Sequence, residues 1–155
     1  MTYTLEDFAA GQRYALGSHV VTEQDVLGFA GTWDAQAFHT DPSAARQSPF
    51  QGLIASGWHT AAIFMSRYVS TLLADSTCLG SPGVDELRWH APVRPGDTLT
   101  AHLVIESVTN SARRPDRGTV RPRCTLVNQH GAEVFSMVLI TLFGRRTTGR
   151  SEPQL

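Results

Sequence analysis

The chain has 155 residues and a formal net charge of −1, so no general electrostatic pull directs it to nucleic acid or anionic membranes. All thirteen basic residues are arginine, which excludes a Schiff-base lysine and the phosphate-binding lysine of a P-loop. The length fits one domain, expected over residues 1–145 and burying roughly 70% of its unfolded surface, with a polar tail over 146–155.

Residues 1–7 lack the basic and apolar regions of a signal peptide, and the apolar run 61–65 is too short to cross a bilayer. Cys78 and Cys124 show neither metal-ligand nor redox spacing. A soluble cytoplasmic protein with reduced thiols and no metal is therefore expected.

The first predicted element is a helix over 23–31. Thr22 is its N-cap and Asp25 completes a variant capping box, with Val26, Leu27, Phe29 and Ala30 turned to a core. From 32 to 50 the pattern breaks around Pro42 and Pro49, and only a turn or two near 43–46 reads as helix. Ordered loops on a rigid scaffold often carry function. Ser56 then caps a second helix running to about Leu73. Its side chains are apolar nearly all round, so it is expected to be enclosed by other structure.

The remainder reads as strands over 83–90, 98–109, 118–128 and 133–143, separated by turn chemistry. Leu99, Ala101, Leu103 and Ile105 alternate with polar or half-buried positions and define one buried face. Pro122 predicts an edge position or a bulge in the third of these strands. Helices followed by consecutive strands indicate an α+β fold with an antiparallel sheet. That sheet is the available cover for the apolar helix, curled around it.

Chemistry concentrates in two places. Asp34 and His39 lie five residues apart in the irregular segment, a carboxylate and an imidazole able to share proton transfer. Ser56-Gly57-Trp58-His59 opens the second helix, where free backbone amides can hold a developing oxyanion.

The segment Asp34-x-Gln36-x-x-His39-x-Asp41 resembles the Asp-x-Asn-Pro-x-His-x-Asp signature of MaoC-like (R)-specific enoyl-CoA hydratases. The stretches Gly52 to Thr60, Asp85 to Trp89 and Pro92 to Leu99 are similar to the dehydratase branch of that family, so the resemblance runs over roughly residues 5 to 144. It implies a hot-dog fold, in which an antiparallel sheet wraps one long helix. It also implies reversible addition of water across the C2=C3 bond of a 2-enoyl thioester. Asp34 and His39 would then be the acid-base pair and the Gly57 amide the donor to the thioester oxygen. No metal or organic cofactor is implied, with CoA arriving as part of an acyl-CoA substrate. A homodimer, or a dimer of dimers, with the site near the subunit interface is implied as well.

The chain departs from the signature at Gln36, where Asn is usual, at Ala37, where Pro is usual, and at Ser56, where many members have His. Ser56, Trp58, Trp33 and Phe50 are candidate substrate-binding residues, and core packing is the competing reading for the aromatic ones. Asp41 reads as an N-cap ahead of Pro42, with a role in orienting His39 also open. His59 reads as a capping or packing residue, with a place facing the site as the alternative; His19, His90, His102 and His130 read as ordinary histidines. Arg113, Arg114, Arg117, Arg121 and Arg123 form either a solvated hairpin or a surface for the phosphates of CoA.

Two other functions compete. Hot-dog thioesterases place a catalytic carboxylate on the central helix, and residues 57 to 74 contain none. A non-catalytic acyl-CoA-binding module would keep the fold and the groove without turnover.

Overall fold

The computed structural model describes residues 1–147. The tail expected over 146–155 therefore lies outside the described residues from 148 onward.

Strand β1 spans Arg13–Val20. Helix α1, Glu23–Trp33, is capped by Thr22, whose side chain accepts from the Asp25 amide. Two short helices follow, α2 over Ala37–Thr40 and α3 over Pro42–Gln47, the latter capped by Asp41 with Pro42 at its first position. Helix α4 runs Gly57–Thr71 and continues into a 3₁₀ turn over Leu73–Asp75. Strands β2 (Gly83–Trp89), β3 (Thr98–Asn110), β4 (Arg117–Val127) and β5 (Glu133–Gly144) follow among the described residues.

The strands form one antiparallel sheet in the order β1-β3-β4-β5-β2. The inward positions of β3 alternate as the sequence predicts, with Leu99, Ala101, Leu103 and Ile105 buried, and β4 does the same with Val120, Cys124 and Leu126. Phe64 and Tyr68 of α4 pack on this concave face, Phe64 against Phe135 of β5. Removing a fully buried side chain such as Phe64 would cost about 3–5 kcal/mol. The wrapped-helix α+β arrangement is thus present, and it is the hot-dog fold.

Three expectations change. First, β1 was not legible as a strand. A register shift between Ala15 and Ser18, with Gly17 at φ +83°, breaks its alternation in mid-strand. Second, Pro122 is not on an edge, because β4 lies between β3 and β5. The bulge expected in Pro122's own strand lies instead in its neighbour: β3 carries an extra residue between Ile105 and Ser107, opposite Pro122 and Arg121. Third, α4 is not enclosed all round in the single chain. His59, Thr60, Ile63, Phe64 and Tyr68 are buried, whereas Trp58, Ala62, Ser66 and Val69 are exposed.

Candidate active site

The site is assembled where three segments meet at the N-terminus of α4. Asp34 is the C-cap of α1, with extended φ −155° and its N–H bonded to the Ala30 carbonyl at 2.9 Å. The turn of α2 carries His39. The strand-like stretch 53–56 leads into α4 and is fixed on both sides, by Ile54 N–H to Phe38 O at 3.2 Å and Ala55 N–H to Val93 O at 2.8 Å.

His39 is buried, only 5% exposed. Its Nδ1 lies 2.7 Å from the Ile54 carbonyl oxygen. A carbonyl only accepts, so Nδ1 carries the proton, and in the neutral ring Nε2 is the free acceptor. That Nε2 faces Asp34 Oδ2 at 3.3 Å. The remaining partners of Asp34 are close: the Ser56 hydroxyl donates to Oδ2 at 2.7 Å and the Gln36 side-chain amide to Oδ1 at 2.8 Å. These two donors hold the Asp34 carboxyl below its ordinary range, Gln36 foremost, then Ser56; His39 adds less, through the charge its ring carries when protonated.

A cavity of about 420 Å³ opens over this pair. Asp34, Gln36, His39, Gly57, Thr60 and Trp89 contribute to its wall, together with Phe50, Trp58 and the turn His90 to Val93. Asp34 is the only carboxylate among the lining residues. Gly57 occupies the first position of α4, where a backbone N–H has no intrahelical acceptor and the helix dipole favours negative charge.

The sequence-predicted residues thus divide. Asp34, His39, Gly57, Trp58 and Phe50 share the cavity. Trp33 does not: the packed stripe of α1 ends at Ala30, and Trp33 on the last turn is 75% exposed. Ser56 is not on the cavity wall either. It is fully buried, its oxygen accepting from Trp58 N–H and donating to Asp34, so it touches the carboxylate and not the cavity space. Asp41 accepts the Ser43 and Ala44 amides on Oδ1 as the cap of α3, and no hydrogen bond or ion pair joins its side chain to His39. His59 faces another groove, stacked on Phe29 at 4.9 Å, with its Nδ1 unpaired and burial holding its charge down.

Most of the arginine cluster is ion-paired. Arg121 meets Asp85 at 2.7 Å, Arg123 bridges Glu86 and Glu106 at 2.6 Å each, and Arg117 meets Asp116 at 2.9 Å. None of these arginines lines the cavity.

Sequence reading missed Trp89, His90 and the Gln36 contact. Trp89 lies at the end of an edge strand, and only the sheet register reveals that it reaches α4. His90 sits on the cavity wall with Nε2 2.7 Å from the Ser136 hydroxyl. Gln36 read as a departure from a pattern, but its longer side chain reaches back to Asp34.

A MaoC-like dehydratase structure from Rhodospirillum rubrum superposes with a TM-score of 0.86 at 39% identity, covering 94% of this chain and 99% of that one. An (R)-specific enoyl-CoA hydratase of Rhodospirillum rubrum is 30% identical over 144 residues, 90% of this chain and 92% of the relative. A Mycobacterium tuberculosis protein with a double hot-dog fold matches with a TM-score of 0.72 at 16% identity, covering 97% of this chain and 47% of that one, a likeness of fold alone. The model of the MaoC-like domain matches residues 7–127, and with that match over most of its length the chain belongs to the MaoC-like domain family.

Proposed function

We propose that the protein is a hydratase that adds water reversibly across the C2=C3 bond of a 2-enoyl-CoA. The observation that carries this reading is the facing of Asp34 Oδ2 and His39 Nε2 at 3.3 Å, on the wall of a cavity that Gly57 also lines. The (R)-specific enoyl-CoA hydratase among its relatives supports the same class of substrate.

The chemistry follows from what each group can do. With Nδ1–H committed to Ile54, Nε2 and the carboxylate are two acceptors aimed at one point, where a water can give up a proton as its oxygen bonds to C3. The electrons of the double bond move toward the thioester, whose oxygen becomes enolate-like and takes the Gly57 N–H. The Asp34/His39 pair then returns one proton to C2. One O–H bond breaks, one C–O and one C–H bond form, and no redox partner is needed. Positioned acid-base groups of this kind supply about 10²–10⁴-fold, and one oxyanion donor about 2.7–4 kcal/mol.

This route uses no metal or organic cofactor, and CoA enters only as the handle of the substrate. A thioesterase reading would call for a catalytic carboxylate on α4, and residues 57 to 74 contain none. A homodimer joined along the free edge of β2 would set the cavity beside the subunit boundary, because Trp89 at the end of β2 and His90 after it line the cavity.

Asp34→Asn keeps the shape and removes the proton acceptor. Hydration of crotonyl-CoA should fall at least about 10²-fold with an unchanged circular dichroism spectrum. Near-wild-type hydration by this variant would overturn the assignment.

A further inference from the structure

We propose that Trp89 is a positioning residue for the Gly57 amide, brought to the helix side of the sheet by a one-residue bulge in β2. The assignment rests on the hydratase reading above.

The register supplies the first step. Gly83, Val84 and Asp85 pair with Ile140, Leu139 and Val138, but Arg88 and Trp89 pair with Ser136 and Phe135, so β2 holds one extra residue between Asp85 and Arg88. A one-residue shift exchanges the two faces of a strand. Trp89 therefore stands opposite Phe135, which packs on Phe64 of α4 inside the curl. In an unbulged strand Arg88 would occupy that position. Glu86 at the bulge adopts φ +51°, and its carboxylate is held by Arg123, while Asp85 is held by Arg121. Arg123 also grips Glu106, the extra residue of the β3 bulge. Arg121 and Arg123, two of the arginines that read as either a solvated hairpin or a CoA-phosphate surface, thus pin the bulge that aims the tryptophan.

The second step is the contact itself. The indole Nε1–H donates to the Gly57 carbonyl oxygen at 2.7 Å. The ring lies so close to the Gly57 Cα that a Cβ there would meet indole atoms at 2.5, 2.8 and 2.9 Å. Glycine at 57 is thus demanded by Trp89. Trp58, the next residue of α4, packs edge-on against the same indole at 5.1 Å between ring centroids. The first turn of α4 is thereby held from the sheet side by Trp89 and from the loop side by Ser56, which carries Asp34. The indole also covers one flank of the helix terminus, where excluded water strengthens the pull of the free amide on a developing oxyanion.

The test is steady-state hydration of crotonyl-CoA by wild type, Trp89→Phe and Trp89→Ala, alongside Gly57→Ala alone and combined with Trp89→Ala. Trp89→Ala should lower kcat about 10- to 100-fold with KM within about threefold, since a displaced donor is felt in the transition state. Trp89→Phe keeps the ring and loses the hydrogen bond, so its loss should be smaller, about three- to tenfold; it decides the matter should the alanine variant fail to fold. Gly57→Ala should lower both Tm and kcat, and should cost clearly less in the Trp89→Ala background. A kcat unchanged in both Trp89 variants, or a Gly57→Ala penalty of equal size in both backgrounds, would overturn the assignment while leaving the hydratase reading intact. Absence of hydration by the wild type would overturn that reading, and this assignment with it.

Discussion

Asp34 is held by three neighbours that each act on its charge: Gln36 at Oδ1, Ser56 at Oδ2 and His39 across 3.3 Å. Because the hydrogen bonds favour the carboxylate over the acid, the folded protein holds Asp34 ionised to lower pH than an unfolded chain does. The stabilisation this gives is present above the ordinary aspartate range near 3.9 and is lost as pH falls through the lowered folded value. Removing the largest contributor should reverse the shift. In Gln36→Ala the acid limb of the kcat/KM profile should move to higher pH than in wild type, read from hydration rates across pH. An unmoved limb would show that Gln36 does not set the charge of Asp34. The candidate pair was legible in the sequence because both residues lie in one short segment. Its geometry was not, because the groups that orient it come from position 54 by a backbone carbonyl and position 56 by a buried hydroxyl. Trp33 failed as a wall residue for a similar reason: a local pattern places it beside the motif, and only packing decides which way the end of α1 projects.

At the scale of elements, β2 to β5 were all legible as strands; β3 and β4 show a two-residue period set by burial on one face, whereas β5 is buried continuously over 134–139. Edge strands follow weaker rules. β1 and β2 each carry a bulge that reverses the alternation halfway along, and each pairs on one side only. The central strands tolerate less. Gly118 of β4 lies so near β3 that a Cβ would meet the Thr109 carbonyl oxygen at 2.5 Å and Leu5 Cδ2 at 2.6 Å. The first contact is with backbone inside a ladder and cannot swing away, unlike a flexible side-chain tip. Gly118→Ala should therefore destabilise the protein by about 1–3 kcal/mol, as overpacking does, read from urea midpoints. A midpoint equal to wild type would mean that the β3–β4 hairpin end yields more readily than its register implies.

The whole molecule is a sheet curled around one helix, and in the single chain the curl is open along the β2 edge. Trp58 is 60% exposed and Trp89 is 43% exposed beside that edge, and an unpaired strand rim with aromatic side chains is a surface that another sheet edge can cover. Light scattering should give twice the mass of one chain, or four times for a dimer of dimers; a stable monomer would contradict this arrangement. Among the described residues no helix is long and apolar enough to cross a membrane. The central claim concerns the reaction itself. Incubating the protein with crotonyl-CoA in ¹⁸O-labelled water should yield 3-hydroxybutyryl-CoA with the label on C3 and no free thiol. Release of CoA thiol with label in a free carboxylic acid, and none at C3, would contradict it.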